Sequence, residues 1–309
     1  MQLNLILVFF QRMLPMETYD VVKEMTASKQ ENINGKYDTR NTLNDLTGKE
    51  WLKLTSSFWI SEKCLLDKDA FNHPAPFLVK DIQKLISLFT KKDMTVLDPF
   101  CGSGTTLIAA YLLNRSGLGL DLSEEYKKLA LERLNKINAK NFSYITGDNL
   151  DLLKNMESNN IDYIVTSPPY YNILKNNSGG IRENKSYKGF RNGARIGVAS
   201  YHTTSDSNLE NCNSYDDFLI ALKNIFKECK RVLKHKKYLS IIISDFTINK
   251  KETNVTGHIV ELMIDLGYEF AGNIALIQNN KPLYPFGYPY AYKINHHNQN
   301  ILNFRNIKE

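Results

Sequence analysis

Short apolar strands alternate with amphipathic helices along most of this 309-residue chain, and this alternation constrains the fold more than any other feature. Strand patterns occur at 95–98, 117–120, 142–146, 161–166, 238–244, 269–277 and 301–304. Helix patterns occur at 76–89, 105–113, 124–138, 215–233 and 258–265. Strands joined by helices form mostly parallel sheets covered on both faces. The last two strands have no helix between them, so we predict that they pair antiparallel.

A glycine-containing turn, Asp98-Pro-Phe-Cys-Gly102-Ser-Gly104-Thr105, joins the first of these strands to its helix. Glycines let a ligand approach the backbone closely, and the helix behind the turn offers N–H groups without partners. The turn lacks the lysine of a phosphate loop, and Leu107 stands where a dinucleotide fingerprint has its third glycine. The turn alone therefore indicates a ligand site without identifying the ligand.

Three aspartates, Asp98, Asp121 and Asp148, follow three successive strand patterns. Each one alone is more typical of a helix cap or a turn than of a ligand contact. Together they lie where parallel sheets bind ligands, at the carboxyl ends of the strands. Asp121 stands where a carboxylate receives both ribose hydroxyls, and the Asp148-Asn149 pair can reach an adenine edge. The pattern therefore predicts a nucleoside ligand.

The sequence Thr166-Ser-Pro-Pro-Tyr170 follows the fourth strand pattern directly. Together, DPFCGSGTT and TSPPY resemble the cofactor and catalytic motifs of the DNA amino-methyltransferases. The segments HPAPF and LYPFGYPYAYKINHHNQNILNFR are also similar to parts of that family, and the resemblance covers roughly residues 45–309. Relatives often carry Leu or Met at the position of Cys101, where a backbone contact is expected.

The resemblance implies a Rossmann-like class I methyltransferase fold, with a seven-stranded, mostly parallel sheet and an antiparallel last strand. It implies S-adenosyl-L-methionine as cofactor, with HPAPF packing on its methionine end, and double-stranded DNA as substrate. We predict no metal site, because the cysteines and histidines lack ligand spacing. The candidate cofactor-binding residues are His73, Phe77, Asp98, Phe100, Cys101, Gly102, Gly104, Thr105, Asp121, Leu122, Asp148 and Asn149.

The candidate catalytic residues are Ser167, Pro168, Pro169 and Tyr170. An exocyclic base amine is a poor nucleophile because its lone pair is delocalised into the ring. Two acceptors, the Ser167 hydroxyl and the Pro168 carbonyl, could receive its two N–H groups and favour a pyramidal nitrogen. Tandem prolines fix φ and hold that carbonyl in place. Tyr170 could stack on a base turned out of the duplex.

The target atom is predicted less directly. Adenine-specific relatives usually carry Asp or Asn at the position of Ser167, so serine favours cytosine N4, with adenine N6 as the alternative. Ring-carbon methylation would need a thiol after a proline in such a loop, and none of the four cysteines stands there. An RNA methyltransferase of the same fold is a further alternative, but RNA guanine methylases usually have Asp before Pro-Pro-Tyr, where this sequence has Ser167. A non-catalytic nucleic-acid-binding module is another, but it would be expected to lose the glycine turn or Ser167, and both are present.

Residues 171–213 interrupt the alternation and form a long insertion rich in Asn, Ser, Gly and Arg. Within 174–201, six basic residues stand against Glu183 alone, which predicts contact with DNA phosphates and bases. A second aromatic candidate is Lys281–His297, which could either pack over the sheet edge or line the target-base pocket. The candidate DNA-binding residues are Lys175, Arg182, Lys185, Lys188, Arg191 and Arg195.

We predict a loosely ordered segment at 1–50 and one methyltransferase domain at 51–309. The apolar start, MQLNLILVFF, is too short to span a bilayer. A net charge of +6 permits a nucleic-acid partner without requiring one. Four cysteines without close pairing are typical of reduced thiols in a cytoplasmic protein. A restriction-modification, phage or orphan methylation role is expected, with any cognate restriction endonuclease acting separately.

Overall fold

A computed structural model describes residues 35–73, 76–171, 209, 212–249, 251–279 and 281–308. Its helices are α1 (Gly48–Leu54), α2 (Val79–Phe89), α3 (Thr105–Leu112), α4 (Glu124–Lys136), α5 (Asn149–Lys154), α6 (Tyr215–Val232) and α7 (Val255–Asp265). Its strands are β1 (Phe58–Ile60), β2 (Thr95–Asp98), β3 (Ser116–Asp121), β4 (Phe142–Thr146), β5 (Ile161–Thr166), β6 (Leu233–Ile243), β7 (Phe246–Ile248), β8 (Lys251–Thr253), β9 (Tyr268–Ile277) and β10 (Asn298–Asn306). Two short 3-10 turns, Leu65–Asp67 and Asp69–Asn72, precede α2.

The main sheet has the strand order β1-β9-β10-β6-β5-β2-β3-β4. β10 runs antiparallel to both β6 and β9, and the remaining neighbours pair parallel. The predicted seven-stranded sheet with an antiparallel last strand is confirmed. An eighth strand, β1, adds to the edge beside β9, and its central residue Trp59 is buried.

Hydrophobic cores lie on both faces of the sheet, as predicted. One core contains the apolar sides of α6 and α7, with Phe218, Phe226 and Ile259 fully buried. The other contains α2, α3 and α4, with Ile82 and Leu107 among its buried side chains. Every residue of β5 is buried, which explains the apolar Tyr163-Ile164-Val165 at its centre.

A buried polar network fixes the central register. The Tyr163 hydroxyl donates to Ser240 Oγ (2.8 Å), and Ser240 Oγ donates to Asn303 Oδ1 (2.6 Å). These residues lie on β5, β6 and β10, so the network crosses the parallel-to-antiparallel junction. A slip of β10 by one residue would leave these buried groups unpaired, which disfavours other registers.

The predicted boundary at residue 50 needs correction, because it falls inside α1. Thr47 caps this helix in a reciprocal capping box with Glu50. Asn44 is fully buried and its Nδ2 donates to the Leu88 carbonyl (2.7 Å), while Asp45 pairs with the guanidinium of Arg115 (3.0 Å). The chain is therefore packed on the domain from about residue 41 onward. No helix among the described residues could cross a membrane.

Candidate active site

The turn between β2 and α3 depends on two glycines in left-handed conformations, Gly102 (φ +48°) and Gly104 (φ +76°). A Cβ at Gly102 would lie 2.9 Å from His73 Nε2, and one at Gly104 would lie 2.7 Å from the Ala130 Cβ. Both positions therefore exclude a side chain on conformational and steric grounds. Tyr144 supports the turn from below by donating to the Gly102 carbonyl (2.9 Å).

Asp98 lies inside the protein, at 1% exposure, and accepts three hydrogen bonds. They come from Phe100 N (3.1 Å), Thr106 Oγ1 (2.6 Å) and Thr166 Oγ1 (2.7 Å). Burial raises the pKa of this carboxyl to about 6, against the lowering effect of these donors. Asp98 therefore supports the turn and ties it to the end of β5, a different role from the ligand contact that we predicted.

Asp121 is half-buried at the end of β3 and reaches across to the turn. Its Oδ2 accepts from Gly102 N (2.7 Å) and its Oδ1 accepts from Ser123 N (2.9 Å). Burial raises the pKa of this carboxyl. Each oxygen retains room for one further donor, so a ribose can still bind here, with the half-buried Leu122 next to it.

Two buried oxygens flank the loop after β4 and have no hydrogen-bond partner in the described part of the chain, Thr146 Oγ1 and Asn149 Oδ1. Asp148 caps α5 through a bond from Asp151 N (3.1 Å), so its side chain is partly committed to the helix. A buried acceptor without a partner is costly unless a ligand satisfies it. An adenine amino group fits this requirement.

Of the HPAPF segment, His73 and Phe77 lie against the turn, while Pro74 and Ala75 are outside the described residues. The His73 ring contacts Tyr126 edge-to-face, with 4.4 Å between centroids. The Phe77 carbonyl accepts a long bond from Thr105 Oγ1 (3.5 Å).

Two turn residues face the protein interior instead. Cys101 is buried, and a Cβ on Gly119 would lie 2.4 Å from its sulfur, so its side chain fills space above β3. Burial raises the pKa of its thiol. Phe100 packs against the core that contains α6. These two residues can therefore contact a ligand chiefly through their backbone.

The catalytic loop begins where β5 ends. Ser167 and Pro169 are half-buried and Pro168 is buried. Tyr170 is 9% exposed, its ring packs edge-on against Phe246 (5.3 Å between centroids), and its hydroxyl accepts from Gln299 Nε2 (3.3 Å). The predicted stacking of Tyr170 on a base would therefore require its ring to move, because little of its face is open.

The six predicted DNA-binding residues, Lys175, Arg182, Lys185, Lys188, Arg191 and Arg195, lie outside the described residues. The second candidate, which we call the tyrosine segment (281–297), is described. Tyr288, Tyr290 and Tyr292 are 81%, 95% and 89% exposed, so these rings do not pack over the sheet edge. Gln278 N donates to the His297 carbonyl (2.7 Å), which closes the base of the segment near Tyr170.

Sequence reasoning missed Arg133, Tyr144 and Gln299, which support the turn or the catalytic loop. A basic residue in a helix and polar residues in strands carry no signal of burial when read one at a time. The helical spacing of Tyr126, Ala130 and Arg133 places them on one face of α4, and that spacing could have drawn attention to Arg133.

Comparison with known proteins identifies the family of the chain. A model of the methyltransferase domain matches residues 90–284, which is more than half of the chain. The chain therefore belongs to the methyltransferase-domain family. A DNA methylase family model matches residues 9–132, which confirms the resemblance drawn from the motifs. S-adenosyl-L-methionine is the cofactor that this membership implies, and the unpaired acceptors near Asn149 fit its adenine.

Individual relatives match over short stretches. The orphan methyltransferase M.BamHII of Bacillus amyloliquefaciens is 45% identical over 73 residues, covering 24% of this chain and 28% of that protein. The type II methyltransferase M2.DpnII of Streptococcus pneumoniae is 36% identical over 105 residues, covering 34% and 37%. TrmN from Thermus thermophilus aligns with a TM-score of 0.49 at 14% identity, covering 79% of this chain and 52% of that one. The chain spans about a quarter to just over a third of the two curated relatives' length.

Proposed function

We propose that the protein is a site-specific DNA methyltransferase that transfers a methyl group from S-adenosyl-L-methionine to the exocyclic N4 of cytosine in duplex DNA. The observation that carries this proposal is the bond from Thr166 Oγ1 to Asp98 Oδ1 (2.7 Å). It joins the end of β5, where Ser167 begins the catalytic loop, to the cofactor turn after β2. A base amine held by the loop would then lie beside a methyl donor held by the turn.

The order of the strands supports an orientation for the cofactor. β2, β3 and β4 are neighbours, and their loops offer the glycine turn, Asp121 and Asn149 in sequence. Ribose at Asp121 and adenine at Asn149 would leave the methionine end over the glycine turn, next to His73 and Phe77. The reactive methyl group would then point toward β5, the neighbour of β2 on its other side.

The catalytic residues would act on the amine. The Ser167 hydroxyl oxygen and the Pro168 carbonyl each accept one N–H, so the nitrogen lone pair leaves conjugation with the ring. Bound S-adenosyl-L-methionine would supply the methyl group: the nitrogen would attack in line, with the new N–C bond forming as the S–C bond breaks and S-adenosylhomocysteine as the other product. The extra proton leaves the nitrogen for water or for Ser167. Positioning the two reactants contributes much of the rate.

Hydrogen-bond count does not choose between the amines of cytosine and adenine, so N6-adenine methylation is the alternative. Serine is shorter than Asp or Asn, and a purine places its amine differently relative to the sugar. Both considerations, with the family tendency that links serine to cytosine, support N4. The names of the matched relatives, "orphan" and "type II", support a modification role with or without a partner endonuclease.

DNA would be held by the basic insertion and by the tyrosine segment. The tyrosine segment contains Lys281 and Lys293 and no acidic residue, and its exposed rings suit stacking or groove contacts.

The experiment is methyl transfer from labelled S-adenosyl-L-methionine to duplex DNA of mixed sequence, with RNA as the competing substrate. Digestion to nucleosides and mass spectrometry should detect N4-methylcytosine, and Ser167→Ala should lower its rate of formation by about 10²-fold or more. N6-methyladenine alone would refute the cytosine assignment and leave amino-methylation standing. Labelling of RNA alone would refute the DNA assignment.

A further inference from the structure

Arg133 is a buried cation whose role the proposed mechanism leaves unexplained. It lies on α4 at 3% exposure, and a charged group is costly to bury unless it is well paired. Burial lowers the pKa of its guanidinium to about 10, so it stays charged at neutral pH. The nearby carboxylates Asp67 and Asp69 oppose that lowering. The hydrogen-bond partners of the Arg133 guanidinium therefore indicate its structural role.

The four hydrogen bonds that Arg133 makes within the described part of the chain go to two segments of the candidate site. Its Nη1 donates to the carbonyl and the hydroxyl of Ser103 and to Thr105 Oγ1 (3.0 Å), within the cofactor turn. Its Nη2 donates to the Leu66 carbonyl (3.1 Å), in the segment that leads to His73. The guanidinium therefore connects the turn to the chain that covers it.

The same face of α4 makes two more contacts with these segments. Tyr126 contacts His73. Ala130 lies so close to Gly104 that a Cβ on Gly104 would be 2.7 Å from the Ala130 Cβ. Tyr126, Ala130 and Arg133 are spaced to share one side of the helix. α4 thus braces the turn along its length, and Arg133 supplies the only charged contact of the three.

We propose that Arg133 is a positioning residue for the methionine end of the cofactor. It fixes the Ser103 carbonyl and the Thr105 hydroxyl, so the left-handed glycines on either side of Ser103 keep the shape that receives the amino-acid end. This inference rests on the proposed function, since it takes from it the orientation that sets the methionine end over this turn. Among the described residues, Arg133 donates no hydrogen bond to Asp121 or Asn149, the residues proposed to hold the nucleoside end.

The test compares two ligands on Arg133→Met by calorimetry. Affinity for S-adenosylhomocysteine should fall about tenfold or more, as expected for a lost charged hydrogen-bond set. Affinity for 5′-methylthioadenosine, which lacks the amino-acid end, should change by less than about threefold. Arg133→Lys, which keeps the charge and can still reach Ser103, should recover part of the loss and serves if the methionine variant does not fold.

Lys136→Met is the matched control, because it removes an ion pair from α4 to the same leading segment (Lys136 Nζ to Asp69 Oδ2, 2.6 Å) without touching the turn. It should bind both ligands like the wild type. Equal losses for both ligands in Arg133→Met and Arg133→Lys, or no loss for either, would overturn the inference. A wild type that binds S-adenosylhomocysteine but does not methylate DNA would overturn only the proposed function.

Discussion

Two regions lie at the same end of the sheet, where its parallel strands finish, yet they are built differently. One is the set of loops after β2, β3 and β4, and the other is the tyrosine segment between β9 and β10. In the loops, Asp98 and Asp121 accept bonds from neighbouring loops and Arg133 holds the turn from behind. In the tyrosine segment, Tyr290 is 95% exposed. A small ligand of constant shape suits a preformed site, whereas exposed rings need a partner from outside to cover them.

This difference predicts that mutations can weaken DNA binding without weakening cofactor binding. Neutralising Arg182, Lys185, Lys188, Arg191 and Arg195 together should weaken DNA binding by orders of magnitude and flatten its dependence on salt. Each lost phosphate contact lowers the slope by about 0.9. Cofactor affinity should stay unchanged. Binding titrations at several salt concentrations measure this, and an unchanged slope would mean that the insertion does not lie on the DNA backbone.

Ser167→Ala tests the catalytic loop, which begins where β5 ends. Loss of one positioned hydrogen-bonding group typically lowers turnover by about 10²-fold or more. Cofactor affinity should be largely kept, because Ser167 lies beyond the turn. Single-turnover methylation rates, with cofactor affinity measured in parallel, provide the test. A variant with the wild-type rate would remove the acceptor role from Ser167.

Asp121→Ala should lower cofactor affinity about tenfold or more, since a hydrogen bond to a charged group contributes about 1.5–3 kcal/mol. The loss combines the ribose contact with the bond from Gly102 N (2.7 Å) that braces the turn. Asp151→Ala is the control, because Asp151 is exposed on α5. Calorimetry that shows equal affinity for Asp121→Ala and wild type would exclude Asp121 from the site.

Replacing Tyr288, Tyr290 and Tyr292 by serine should weaken DNA binding about tenfold and leave cofactor binding intact. Stacking of a base on an aromatic ring contributes about 1–3 kcal/mol, although not every exposed ring needs to contact a base. Tyr37→Ser, at an exposed ring outside the segment, is the control. Equal DNA affinity for the triple variant and wild type would show that these tyrosines are exposed for a reason other than DNA binding.

The sequence predicted the cofactor side of the molecule well and the supporting contacts poorly. β2, β4 and β5 were predicted to the residue. β2 and β5 are buried strands that stop just before a proline-containing turn, at Asp98-Pro and Ser167-Pro. β1 was missed because it has three residues with only Trp59 buried. Arg133 was missed because its burial depends on where Ser103 and Leu66 lie, which only the tertiary fold determines.

The smallest expected effect on activity concerns Asp98, which joins the cofactor turn to the end of β5 through Thr166. Its pKa is raised from 3.8 to about 6 by burial, so the folded state takes up a proton more readily than the unfolded state. The stability that this group contributes is complete below pH 3.8 and is lost as the pH rises through about 6.

Asp98→Asn removes this titration. Between pH 4 and 7.5 the unfolding free energy of the variant should therefore rise relative to wild type, by at most on the order of 3 kcal/mol. Denaturant unfolding at a series of pH values measures the difference, with the same substitution at the exposed Asp151 of α5 as the matched control. A constant difference between Asp98→Asn and wild type would mean that the donors from Thr106 and Thr166 fully offset the cost of burial. The two loops would then be joined by an ionised carboxylate throughout this pH range.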